Sequence, residues 1–136
     1  MWITDLKVTD VEGKPGKFEL LEDLVYVSEK YGKFRVRAGF QTDFASVPRW
    51  LWSFASPLET RKASTLHDSF YNKETRPEGM RRKLADKIFR EAMKAEGVGK
   101  FKRNLFYRGV RVGGGCPWNK REEIVDDQVE VTTRES

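Results

Sequence analysis

The sequence predicts an α+β domain, with an N-terminal antiparallel β-hairpin or small sheet packed on about three helices and a flexible C-terminal tail. Three observations carry that expectation. Two runs rich in β-formers, Leu24 to Ser28 and Phe34 to Ala38, flank the turn pair Tyr31-Gly32. From Ser56 onward the apolar residues adopt helical spacing. The chain has 136 residues, 38% hydrophobic and 12% aromatic, enough to fill one core and too few for two ordinary domains. The domain is expected over residues 1–118. Residues 119–136 are charged and poor in large apolar side chains, and read as a mobile tail in which Gln128 to Thr132 is a candidate edge strand.

Taken in order, Trp2 to Val8 alternates imperfectly and reads as a short strand, and Glu12-Gly13-Lys14-Pro15-Gly16 as a turn. In the second β run, Arg35 and Arg37 share the face opposite Phe34, Val36 and Ala38, so the hairpin should wet one side. Asp43-Phe44-Ala45-Ser46-Val47-Pro48 reads as a helix entry with Ser46 as N-cap. It leads into Trp50, Trp52 and Phe54, which are expected to close the core between hairpin and helices. Ser56 as N-cap, Pro57 at the first helical position and Glu59 in the capping-box position open a helix running to about Tyr71.

At 100° per residue, Ala63, Leu66, His67 and Phe70 form one stripe, with Tyr71 at its edge and Asp68 to the side. The Thr75 to Gly79 stretch, with Pro77, ends that pattern. A second helix carries Leu84, Ala85, Ile88, Phe89, Ala92 and Met93 on its apolar face and Asp86 at the margin; Gly97 closes it. Phe101, Leu105, Phe106, Gly109 and Val112 suggest a third helix, ended by Gly113-Gly114-Gly115. Its basic residues, Lys100, Lys102, Arg103, Arg108 and Arg111, lie mostly off the apolar face.

Composition removes several function classes. The single Cys116 excludes an internal disulfide framework, and with the single His67 it cannot furnish four Cys/His zinc ligands. No run of eighteen apolar residues occurs and no leader pattern opens the chain, so a soluble product is expected, meeting a membrane only at its surface. The formal charge of +5 suits phosphate-rich or acidic partners. No aromatic-basic stacking motif marks nucleic acid as a specific ligand.

One constellation carries chemistry. His67 and Asp68 are sequence neighbours whose side chains diverge by about 100° on a helix, so they cannot share a proton. Tyr71 follows His67 by one turn, and Asp86 comes within reach of His67 if the first two helices pack antiparallel. A carboxylate that fixes the imidazole tautomer would leave His67 as a general base toward water. Asp68, with Asp43 and carbonyls of the Phe40 to Pro48 loop, would supply hard oxygen ligands of the kind calcium takes. Other roles stand beside these. His67 can be a hydrogen-bonded core residue, Asp68 can pair with Arg49, Arg61 or Arg82, and Asp86 can be a solvated flank paired with Arg82 or Arg90 on its own helix.

The chain resembles a family of proteins from tailed bacteriophages and prophages catalogued as a domain of unknown function. The resemblance rests on Phe40-Gln41-Thr42-Asp43-Phe44-Ala45-Ser46-Val47-Pro48-Arg49, Leu51-Trp52, Ala63, Leu66-His67-Asp68 with Tyr71, Arg82, Ala85-Asp86, Phe89, Ala92-Met93 and Gly97-Val98, and more weakly on Tyr107, Val110 and Arg111. It covers residues 40 to 113. It implies synthesis in the host cytoplasm, a place in the virion, and other virion or assembly proteins as partners. More loosely, the His-Asp-x-x-Tyr helix facing a second helix with an Asp is similar to secreted phospholipase A-two enzymes. That resemblance implies His67 as base, Asp68 as calcium ligand, Asp86 as the group orienting the imidazole, and Tyr71 as its support. Those enzymes also carry disulfides between the two helices and a glycine-rich calcium loop, neither of which occurs here.

Two functions follow as expectations. One is a phage accessory or virion-associated protein performing metal-dependent ester hydrolysis on lipid, with His67, Asp86 and Tyr71 catalytic and Asp68 and Asp43 holding calcium. The other is a non-enzymatic particle or tail-assembly component in which the same residues brace two helices.

Overall fold

The computed structural model describes residues 1–43, 57–113 and 118. It has the α+β architecture the sequence predicts, with two small antiparallel sheets and three helices. Strands β1 (Val8–Asp10), β2 (Phe18–Leu20) and β5 (Gln41–Thr42) form one sheet in the order β1-β2-β5. Strands β3 (Leu24–Ser28) and β4 (Gly32–Val36) form the hairpin. The helices are α1 (Arg61–Tyr71), entered through a 3-10 turn at Pro57–Thr60, then α2 (Arg82–Ala95) and α3 (Lys100–Gly113).

The hairpin pairs Leu24 with Val36 and Ser28 with Gly32, leaving a loop of Glu29, Lys30 and Tyr31. Gly32 closes it at φ +95, a conformation that disfavours side chains with a Cβ. The second strand therefore starts two residues earlier than the β-former run suggests. Arg35 and Arg37 are exposed and Val36 is buried, as the alternation requires, while Ala38 lies beyond the strand and is exposed. β3 is buried along nearly its whole length because residues 1–3 run along its other edge. Trp2 bridges Tyr26, Ile3 N–H donates to Val25 O, and Val27 N–H donates to Met1 O. The expected strand over Trp2 to Val8 is thus a single bridge at Trp2 followed by β1 at Val8.

One core joins the layers: Leu20, Leu24, Tyr26 and Val36 from the strands meet Leu66, Phe70, Ile88, Phe89 and Met93 from α1 and α2. Phe34 packs edge-on against Phe70 with centroids 5.3 Å apart, and Trp2 Nε1 donates to Ala92 O. α2 buries the expected stripe from Ala85 to Met93 and ends in a Schellman motif. Val98 N–H donates to Met93 O and Gly97 N–H to Lys94 O, with Gly97 at φ +93. On α3 the buried residues are Phe106, Gly109 and Val110. Phe101 and Val112 are exposed, contrary to the expected face, because they lie about 140° and 120° away from Phe106 around the helix.

The start of α1 also differs from its sequence signals. Glu59 does not turn back to cap the helix; its carboxylate pairs with Lys102 Nζ on α3 at 3.0 Å. The orphan N–H groups are met from another element, since Lys62 N and Ala63 N donate to the Glu96 carboxylate at 2.9 and 3.0 Å. The Ser56 and Ser46 caps, the Trp50, Trp52 and Phe54 cluster, the Gly114-Gly115 stop and the 119–136 tail lie outside the described residues. No described helix is long and apolar enough to cross a membrane.

Candidate functional site

α1 is the central helix: all nine residues from Ala63 to Tyr71 are buried, so the flank bearing Asp68 is covered as well as the apolar stripe. α2 packs against it antiparallel. Glu96 beyond the end of α2 meets the start of α1, and Asp86 near the start of α2 meets His67 and Tyr71 toward the end of α1. This is the packing that brings the expected dyad together.

His67 Nε2 lies 2.6 Å from Asp86 Oδ1, and Tyr71 Oη donates to the same oxygen at 2.9 Å. The other carboxylate oxygen, Oδ2, accepts from Arg111 Nη1 at 2.9 Å and has Arg82 Nη1 at 3.8 Å. Asp86 is fully buried, so a solvated flank is not its situation. Arg90, the other expected partner, turns away and stacks over Tyr107, 4.5 Å from the ring centroid. Burial by itself would raise the Asp86 carboxyl, but the hydrogen bond and charge of His67, with the bonds from Arg111 and Tyr71, outweigh it and hold the group below its ordinary value. Tyr71 is pushed the other way, by burial first and then by the Asp86 charge, and so remains a hydroxyl donor.

An ionised carboxylate only accepts, so the proton between His67 and Asp86 belongs on Nε2. In that tautomer an uncharged ring carries its lone pair on Nδ1. Nδ1 is buried and has no hydrogen-bond partner among the described residues. The ring is held between Tyr71, 4.4 Å away by centroids, and Phe89, stacked at 4.5 Å and 27°. Only 2% of His67 is exposed, so the described residues form no open cleft over it.

Two further elements converge here. Arg82 donates to the last carbonyls of α3, Val110 O and Arg111 O, which places α3 against the cluster. Trp118 packs edge-on against Tyr71 at 4.9 Å, and the Arg76 guanidinium lies 3.4 Å over the Trp118 ring while Arg76 Nε donates to Phe70 O. Neither Arg111 nor Trp118 is among the site residues the sequence predicts. Arg111 was legible only as the polar neighbour of the Phe106–Val110 stripe, and nothing local to Trp118 announces its docking.

The expected metal ligands do not assemble in the same way. Asp68 is buried, Asp43 is exposed just after β5, and both already interact with other groups. Among the described residues no three His, Cys, Asp or Glu side chains gather as a metal-binding group. Calcium takes six to eight oxygens, and the described donors fall short of that set; residues 44–48 of the loop lie outside them.

Residues 18–110 match the family described as "Protein of unknown function (DUF1353)". The chain belongs to that family. The match begins at β2, well before the Phe40 segment on which the resemblance rested, so the DUF1353 unit includes the hairpin and most of the three helices. No curated protein and no solved structure matches the chain.

Proposed function

We propose that this DUF1353 protein is a phage or prophage accessory or virion-associated protein that hydrolyses ester bonds with a His67–Asp86 dyad. The observation that carries the chemistry is the geometry of the ring: Nε2 lies 2.6 Å from Asp86 Oδ1, and Nδ1 has no hydrogen-bond partner among the described residues. In such a step a water oxygen adds to the ester carbonyl carbon while its proton passes to Nδ1. The ester C–O bond then breaks, and the leaving alkoxide takes that proton back. Asp86 stabilises the transient imidazolium, and Tyr71 keeps Asp86 in place. Phospholipid is the substrate class suggested by the phospholipase-like order of His67, Asp68, Tyr71 and Asp86. Calcium on Asp68 and Asp43 belongs to the same proposal, and the phage assignment rests on the sequence resemblance alone.

A second reading is favoured by the burial of the ring. If His67 never meets solvent, the cluster is a brace that joins α1, α2 and α3 in a non-enzymatic particle or assembly component. One experiment separates the two: fatty-acid release from phospholipid vesicles, with calcium and with a chelator, by the native chain and by His67→Gln, both verified as folded by circular dichroism. Hydrolysis predicts native turnover and a loss of about a hundredfold or more in the variant. No release by the native chain, or equal release by both, leaves the brace.

A further inference from the structure

A second feature uses α2 residues other than Asp86. Between the β3–β4 loop, α2 and α3 is an open groove of about 890 Å³, within the size range of sites that enclose a small ligand (~300–1,000 Å³). Six cationic side chains line it: Lys30, Lys87, Arg90, Lys94, Lys100 and Arg103. Two carboxylates face them, Glu29 and Glu91, and Glu91 is occupied by the Tyr26 hydroxyl at 2.6 Å. Among the described residues none of the six cations forms an ion pair, whereas Lys7, Arg35, Lys62, Arg82, Lys102 and Arg111 all do.

Six cations against two carboxylates leave an excess of positive charge in a common volume, and an anion between them removes the cost of that repulsion. The shape narrows the partner. Lys87, Arg90 and Lys94 recur at three- and four-residue spacing along α2, a row rising about 10 Å. Lys30 comes from the hairpin loop and Lys100 and Arg103 from α3, so three elements contribute cations to one open groove. A planar bilayer meets the rim of a groove more readily than its floor, while a chain of phosphates can lie along it. Tyr31 on the rim is 37% exposed and offers a ring for a base to stack on, and Asn104 offers a neutral hydrogen-bonding amide. Nothing in the groove presents a fixed array for reading base edges.

We propose that this groove binds the phosphodiester backbone of single-stranded nucleic acid without sequence preference. The inference does not depend on catalysis at His67.

The test is fluorescence anisotropy of a labelled oligothymidylate with the full chain across a salt series. Native protein should bind at low salt with log affinity falling linearly in log salt, each phosphate contact adding about 0.7 to the slope. Lys94→Glu with Lys100→Glu should weaken binding at least tenfold. Lys14→Glu with Lys17→Glu, the same charge change on exposed residues outside the groove, should weaken it less than threefold. Lys30→Glu, in the loop between β3 and β4, gives an arm that places no load on the helices and should also weaken binding. Equal loss in the two double variants, unchanged affinity in Lys30→Glu, or no binding by native protein at low salt overturns the proposal. Groove-dependent binding to phosphatidylglycerol vesicles without binding to the oligonucleotide overturns it in favour of a membrane partner.

Discussion

Removing the Tyr71 hydroxyl takes away one of the two donors on Asp86 Oδ1 and leaves the helix backbone untouched. Because the acceptor is charged and buried, Tyr71→Phe should cost about 1.5–3 kcal/mol in urea unfolding, and Tyr71 is held protonated, so the loss should be constant through neutral pH. The carboxylate itself sets an acid limit. The folded Asp86 value lies below its ordinary 3.8, so its contribution is present in full above 3.8 and is lost as pH falls through the folded value. The urea midpoint of the native chain should therefore drop in that acid window. Asp86→Asn, which has no carboxyl to protonate, should start less stable and lose less over the same range; parallel pH curves for the two would show that Asp86 does not supply the acid sensitivity. At this scale the sequence reading reached His67, Asp86 and Tyr71 because helical spacing and an antiparallel pair are enough to place them. It did not reach Arg111, whose arrival depends on the crossing of α3 over α2.

At the scale of elements, the lesson concerns which face a helix buries. Five apolar positions on α3 were read as one face, but Phe101 is 77% and Val112 84% exposed, while Phe106 is fully buried. Phe106→Ala should cost about 3–5 kcal/mol. Phe101→Ser and Val112→Ser should stay within about 0.5 kcal/mol of native, and a large loss at either exposed position would restore the broader face. α2 was fully legible because its stripe is continuous and Gly97 ends it with a positive φ. β2 and β5 were not, since three and two residues are too few to show a period of two. Capping followed the same division. Glu59 has the right spacing for a local cap, yet Lys102 from α3 takes its carboxylate, and Glu96 reaches the start of α1 from the far end of α2.

Across the whole molecule the charge is distributed unevenly. Arg82 and Arg111 are drawn inward to balance Asp86, whereas the six groove cations outnumber the two carboxylates that face them and form no ion pair among the described residues. The modest net charge of +5 conceals that separation. If the groove takes a phosphate chain, its binding should depend steeply on salt, while any hydrolysis at His67 should not, because a buried dyad is little screened. The two sites are thus separable in one preparation. The family match over residues 18–110 contains both the dyad and all six groove cations; Arg111, which pairs with Asp86, lies one residue past its end.

By itself the sequence determined the α+β class, the hairpin, the extents of α2 and α3, and the trio His67, Asp86 and Tyr71. Each of these follows from periodicity or from turn and cap residues acting over a few positions. Tertiary structure decided what the trio became: a carboxylate shared by three helices, an imidazole closed between Tyr71 and Phe89, and an Nδ1 without a partner among the described residues. Burial and long-range partners depend on how elements cross. Local spacing says which side chains share a face, but only packing says what that face meets.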